Sequence, residues 1–125
     1  MSIASVLMIV VSVALSAGSQ IVLKYGMTAP QVRGALDGGN ALEIVRAIAL
    51  SPQVMVGLAA FGLSAVVWLF VLSRIALSSA YPFVALGIMV TVTAGAMLFG
   101  EPMTAAKLVG VTLIVGGVVM VGLAA

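Results

Sequence analysis

The stretch SVALSAGSQIVLK, residues Ser12 to Lys24, decides how this chain must fold. It closes a run from Ile3 to Leu23 that carries no charged residue and is long enough to cross a bilayer as a helix. Yet Ser12, Ser16, Ser19 and Gln20 stand inside that run, and Lys24 ends it. At roughly 100° per residue, Ser5, Ser12, Ser16, Ser19 and Gln20 fall within an arc of about 100°. The other faces are Val, Ile, Leu and Met. A polar stripe on a membrane helix faces other helices or a wet cavity rather than lipid. Two readings follow. Small hydroxylated residues let membrane helices pack closely, and a serine can bond its own backbone. A stripe that ends in Gln20 and Lys24 also reads as a polar pathway.

The rest of the chain agrees with a membrane setting. Of 125 residues, 64% are hydrophobic, with only five Lys or Arg and three Asp or Glu, and the mean hydropathy is +1.40. A soluble domain needs far more charge to cover its surface. The chain is therefore an integral membrane protein. The net charge of +2 is small and its basic residues are scattered, which argues against nucleic acid. With no His and no Cys, disulfides, thiol chemistry, His-ligated haem and nearly all zinc sites are excluded, and no cofactor is expected. The first apolar run lacks a basic leader and exceeds a signal-peptide core, so it is expected to stay as a membrane helix.

Three further charge-free runs follow, Ala47 to Ser73, Ile75 to Gly100 and Leu108 to Ala125. The spacing predicts one four-helix transmembrane domain over residues 1–125, with spans at about 3–23, 52–73, 77–99 and 106–124. Two short turns and one longer loop make the fold an all-α, antiparallel membrane bundle. Pro52 and Pro82 fall near the starts of their spans, where a helix tolerates proline. The longer loop contains the breakers Pro30, Gly34, Gly38 and Gly39. Asn40 can then cap a helix, with Glu43 in the capping-box position. Residues 40–50 read as a short interfacial helix, an extension of the second span, or a solvated linker. Lys24, Arg33, Arg46 and Lys107 lie in two loops on one side, against Arg74 on the other. That asymmetry places those two loops in the cytoplasm.

The chemistry is defined as much by what is missing. Asp37 and Glu43 lie in the loop and Glu101 in a turn, so no carboxylate lies deep in a span to carry protons. There is no Gly-rich phosphate loop followed by lysine. Without His, Cys or buried carboxylates, the chain is expected not to be an enzyme. Tyr81 either anchors at the interface or turns its hydroxyl inward. Trp68 is a belt residue or a cavity wall, and Glu101 a cap, a partner of Lys107 or a ligand. Ser12, Ser16, Ser19, Gln20, Lys24, Trp68, Tyr81 and Glu101 are the candidate substrate-binding set. Gly110, Gly117 and Gly122 on the last span allow close helix approach, within the bundle or between subunits.

WLFVLSRIALSSAYPFVALG (Trp68 to Gly87), FGEPM (Phe99 to Met103) and GVTLIVGGVVMVG (Gly110 to Gly122) resemble the drug/metabolite transporter superfamily. Four spans in a chain this short look like its small multidrug resistance branch. Within that range the chain resembles the two small subunits of the 4-amino-4-deoxy-L-arabinose-phosphoundecaprenol flippase. Those also carry a serine-containing first span ending in lysine, and a Trp-Leu pair thirteen residues before the tyrosine of Ala-Tyr-Pro, as Trp68 and Tyr81 stand here. The resemblance implies a flippase for a polyprenyl-phosphate-linked sugar in the bacterial inner membrane. One four-helix chain encloses little volume, so a dimer is expected, of two copies or with a similar four-helix subunit, with the span from Gly110 to Gly122 at the contact. Two departures stand out. The glutamate of the multidrug branch corresponds to Ser16, and the tryptophan after its binding-site tyrosine to Val84. The loop from Tyr25 to Leu50 is extended relative to the flippase subunits. The alternatives are a metabolite or cation exporter of the same superfamily, or a non-transporting membrane subunit of a glycosyltransferase system.

Overall fold

The computed structural model describes residues 2–124. Among them are helices and short connections, with no strand. α1 spans Ile3–Met27, α2 Pro30–Gly38, α3 Ala41–Leu50 and α4 Pro52–Arg74. α5 (Leu77–Ala80), a single 3-10 turn at Tyr81–Phe83 and α6 (Val84–Leu98) form one further apolar rod, and α7 spans Ala105–Ala124. Four helical segments, 3–27, 52–74, 77–98 and 105–124, are long and apolar enough to cross a membrane. At 1.5 Å per residue, α1 alone is about 37 Å long, more than the hydrocarbon core of a bilayer.

Local chemistry sets the helix ends. The Ser2 hydroxyl accepts from the Ser5 N–H, the Asn40 side chain from the Glu43 N–H at 2.9 Å, and the Ser51 hydroxyl from the Val54 N–H. Pro30 and Pro52 each sit in the first turn, where a missing N–H costs nothing. The region 30–38, where Pro30, Gly34 and Gly38 suggested a broken loop, is helical. Pro30 starts that helix instead of stopping one, and the glycines are spaced along a surface turn where nothing crowds them. α2 and α3 fold onto each other, with Val32 buried. Ser51 alone separates α3 from α4.

The main packing is α1 against α4, with α6 lying on α1. Most of the buried residues of this pair repeat at seven. Ser12, Ser19 and Gly26 lie along α1, and Gly57, Ser64 and Val71 along α4. A seven-residue repeat of small side chains keeps one seam in register over several turns and lets two backbones approach. An added Cβ at Gly26 would stand 2.9 Å from the Val54 backbone nitrogen, and one at Gly57 would stand 2.8 Å from the Leu23 side chain. At one end the seam widens into a cluster of Ile9, Val71 and Ala80, flanked by Trp68 and Phe83. At the other end Tyr25 and Phe99 pack with ring centroids 4.6 Å apart. α7 is different. None of its residues is buried, and it touches the chain mainly at the Tyr81–Phe83 turn and along α6.

Candidate functional site

The 3-10 turn is the device that shapes the site. Pro82 has no N–H to offer the ladder, so the rod tightens there. The Val84 N–H returns to the carbonyls of Tyr81 and Pro82. This turn sends Pro82 toward α7, where it occupies the space a side chain at Gly122 would need. Tyr81 instead faces Trp68 on α4, edge to face, with ring centroids 6.3 Å apart.

Behind those two rings lies a cavity of about 450 Å³. Its polar lining is Ser12, Ser16 and Gln20 from α1, Ser64 from α4 and Thr91 from α6, and Trp68 and Tyr81 are part of its wall. No charged residue lines it. A smaller cavity of about 210 Å³ shares Gln20 and Thr91 with the first and is lined as well by Lys24, Gly95, Phe99 and Glu101. The two adjoin at Gln20 and Thr91, the first lined by the aromatic pair and the second by a cation and a carboxylate.

The serine stripe therefore divides. The Ser12 hydroxyl donates to the Ser64 carbonyl at 2.8 Å across the seam, and Ser12 also touches the cavity. Ser19 is 1% exposed and donates to the Ser16 carbonyl at 2.7 Å, on its own helix. It lines neither cavity. Ser16 and Gln20 face the open space. Of the eight proposed binding residues, seven line one or other of these two cavities, and Ser19 stays in the helix contact. Ser64 and Thr91 join them. Their signal in the sequence was faint, since Ser64 is one hydroxyl in an apolar run and Thr91 one of two, with Thr93. Ser64 could have been found from its place midway between Gly57 and Val71. No buried side-chain polar atom among the described residues lacks a hydrogen-bond partner. Thr91, for example, donates to the Ile88 carbonyl.

The three proposed contact glycines also divide. Gly110 and Gly117 have open space where a Cβ would be, whereas Gly122 lies against Pro82 of its own chain. Among the described residues no three His, Cys, Asp or Glu side chains come together as metal ligands.

Comparison with known proteins bears on this arrangement. The family model of the Small Multidrug Resistance protein matches residues 39–114. A probable 4-amino-4-deoxy-L-arabinose-phosphoundecaprenol flippase subunit ArnE of Pseudomonas aeruginosa is 40% identical over 72 residues, which cover 58% of this chain and 63% of that protein. The same-named proteins of Pseudomonas fluorescens and Escherichia coli are 36% and 37% identical, over 72 and 65 residues. The matched stretch thus spans less than two thirds of the length of these curated relatives. No solved structure matches the chain. Four apolar helices and these bacterial relatives identify a multi-pass protein of the bacterial inner membrane.

Proposed function

Since the chain belongs to the small multidrug resistance family, we propose that it moves a polyprenyl-phosphate-linked sugar across the bacterial inner membrane. The observation that carries this is the uncharged cavity flanked by α1, α4 and α6, whose largely apolar wall is set with the hydroxyl and amide groups of Ser12, Ser16, Gln20, Ser64, Tyr81 and Thr91. A sugar headgroup needs hydrogen-bond partners while it crosses hydrocarbon, because each unmet polar group costs several kcal/mol there. Ser12, Ser16, Gln20, Thr91 and Tyr81 supply hydroxyl and amide groups without a fixed charge that would hold the headgroup in place. Their apolar surroundings leave the isoprenoid tail in lipid. Lys24 lines the adjoining cavity and meets the phosphate as a point charge. The names of the relatives support the same substrate class.

The working unit in this reading is a dimer. α7 buries no residue of its own, and its Gly110 and Gly117 face is open to a second four-helix chain, a copy or a similar subunit. The two loops that carry Lys24, Arg33, Arg46 and Lys107 lie in the cytoplasm. α3, with Leu42 76% and Val45 63% exposed, rests on the membrane surface there. The test is a vesicle assay. The purified chain, alone and with a candidate four-helix partner, is reconstituted with a polyprenyl-phosphate sugar labelled on one leaflet. Transfer to the other leaflet that depends on the protein is the expected result. Transfer no faster than in protein-free vesicles, in both arrangements, overturns the reading.

A further inference from the structure

The larger cavity is a trench with one open side. Ser12, Ser16 and Gln20 of α1 form its floor. One wall is the face of α4 that carries Phe61, Ala65 and Trp68, and the other is the face of α6 that carries Val84, Ile88 and Thr91. α4 and α6 both pack on α1, but among the described residues they make no extended contact with each other. Phe61 is 42% exposed, and Ala65 and Gln20 are exposed as well. All of these residues lie inside their spans, so the open side faces the hydrocarbon of the bilayer. α7 does not cover it. The α6 residues that share a groove with α7 are Ala85, Leu86 and Met89. At 100° per residue that face is turned about 140° from the face of Val84, Ile88 and Thr91.

From this geometry we infer that the gap between α4 and α6 is a side entrance. A lipid of the bilayer lays its polar headgroup in the trench through that gap, while its tail stays outside in hydrocarbon. The inference rests on the flippase reading above and adds the route by which the substrate reaches the site. The trench is amphipathic in cross-section, and that decides what fills it. An ordinary acyl chain would leave the Gln20 amide and the Ser16 hydroxyl on the floor without partners. Beyond Lys107, the α7 of a second copy offers one polar side chain, Thr112, whose hydroxyl already donates to the Leu108 carbonyl of its own helix. A molecule with a hydrogen-bonding head and a long apolar tail matches both the floor and the rim. Entry from water would instead draw that tail out of the bilayer, and each methylene so exposed loses its hydrophobic stabilisation.

Trp68 is the only tryptophan, lines the trench and otherwise packs against the cluster of Ile9, Val71 and Ala80, so its fluorescence reports what stands in the trench. The purified chain is reconstituted in phosphatidylcholine vesicles with and without bromine on the acyl chains. The probes are undecaprenyl phosphate carrying a hexose, and the same hexose phosphate without the lipid. Brominated chains should quench Trp68. The lipid-linked probe should restore the emission by displacing them, and the soluble probe should not. Ala65→Phe narrows the gap from an exposed position and should reduce both the quenching and the recovery. Emission that brominated chains leave unchanged overturns the inference, since protein then covers the opening. Quenching that the lipid-linked probe does not relieve overturns it too. So does equal recovery with the soluble probe, which marks entry from water, and so does wild-type behaviour of Ala65→Phe. In each of these cases protein-dependent transfer in the vesicle assay leaves the flippase reading standing. Quenching and recovery as expected, without transfer, remove that reading and keep the side entrance as a lipid-binding site.

Discussion

α1 and α7 are both apolar helices of membrane length, and both carry small residues, but the chain uses them in opposite ways. On the α1–α4 seam the small residues are filled against neighbours. Gly26 meets Val54, Gly57 meets Leu23, and Ser12 bonds the Ser64 carbonyl. On α7, Gly110, Gly116 and Gly117 have nothing within 4 Å of where a side chain would begin. In lipid there is no hydrophobic force to press one helix on another, so association depends on close packing and a few hydrogen bonds. Small residues mark a surface built for such packing. They do not say whether the other surface belongs to the same chain.

The largest effect is expected where the seam is tightest. Gly26→Leu places a branched side chain against the Val54 backbone, which cannot give way as a side-chain end can. Overpacking of this kind costs about 1–3 kcal/mol or more. The chain should lose folded yield and unfold at lower temperature in detergent, while insertion is unchanged. Normal thermal stability of Gly26→Leu would mean the seam is looser than described.

Gly117→Leu is the contrasting case. Open space receives the side chain, so the single chain should keep its detergent stability. Cross-linking between cysteines placed on α7 should fall severalfold, and transport with it. Unchanged cross-linking and transport would place the subunit contact elsewhere. Loss of the folded chain would show that α7 packs internally.

Lys24→Ala should lower headgroup transport by about tenfold, the scale of one lost hydrogen bond to a charged group, with assembly intact. Equal losses of folded protein and activity would make Lys24 only a membrane anchor. The smallest effects separate the two roles of the serine stripe. Ser16→Ala should weaken transport and barely alter stability. Ser12→Ala removes an interhelical hydrogen bond, worth about 0.6 kcal/mol on average within membranes, and should lower both slightly. Ser19→Ala should spare transport, because its hydroxyl already serves the Ser16 carbonyl. A transport defect as large in Ser19→Ala as in Ser16→Ala would return Ser19 to the binding set.

Composition and periodicity were enough to read the fold class and the membrane setting, because the bilayer requires long apolar helices with every backbone group bonded internally. The common face of Ser12, Ser16, Ser19 and Gln20 was legible for the same reason, since the helix repeat alone decides which side chains share a face. The α2 helix was not legible. Pro and Gly break or start helices according to position, and only the fold of α2 onto α3 around Val32 settles which. Nor could spacing divide the stripe. Ser16 opens on the cavity and Ser19 is closed off because α4 and α6 stand where they do, and those positions depend on contacts between residues about fifty apart in sequence, such as Ser12 and Ser64. The same holds at the smaller cavity. A lone Glu101 in a turn reads equally as cap, ion pair or ligand. Its place over the bare backbone of Gly95, beside Lys24, follows from the chain reversal at Gly100 and the packing of α6 on α1, which only the tertiary structure decides.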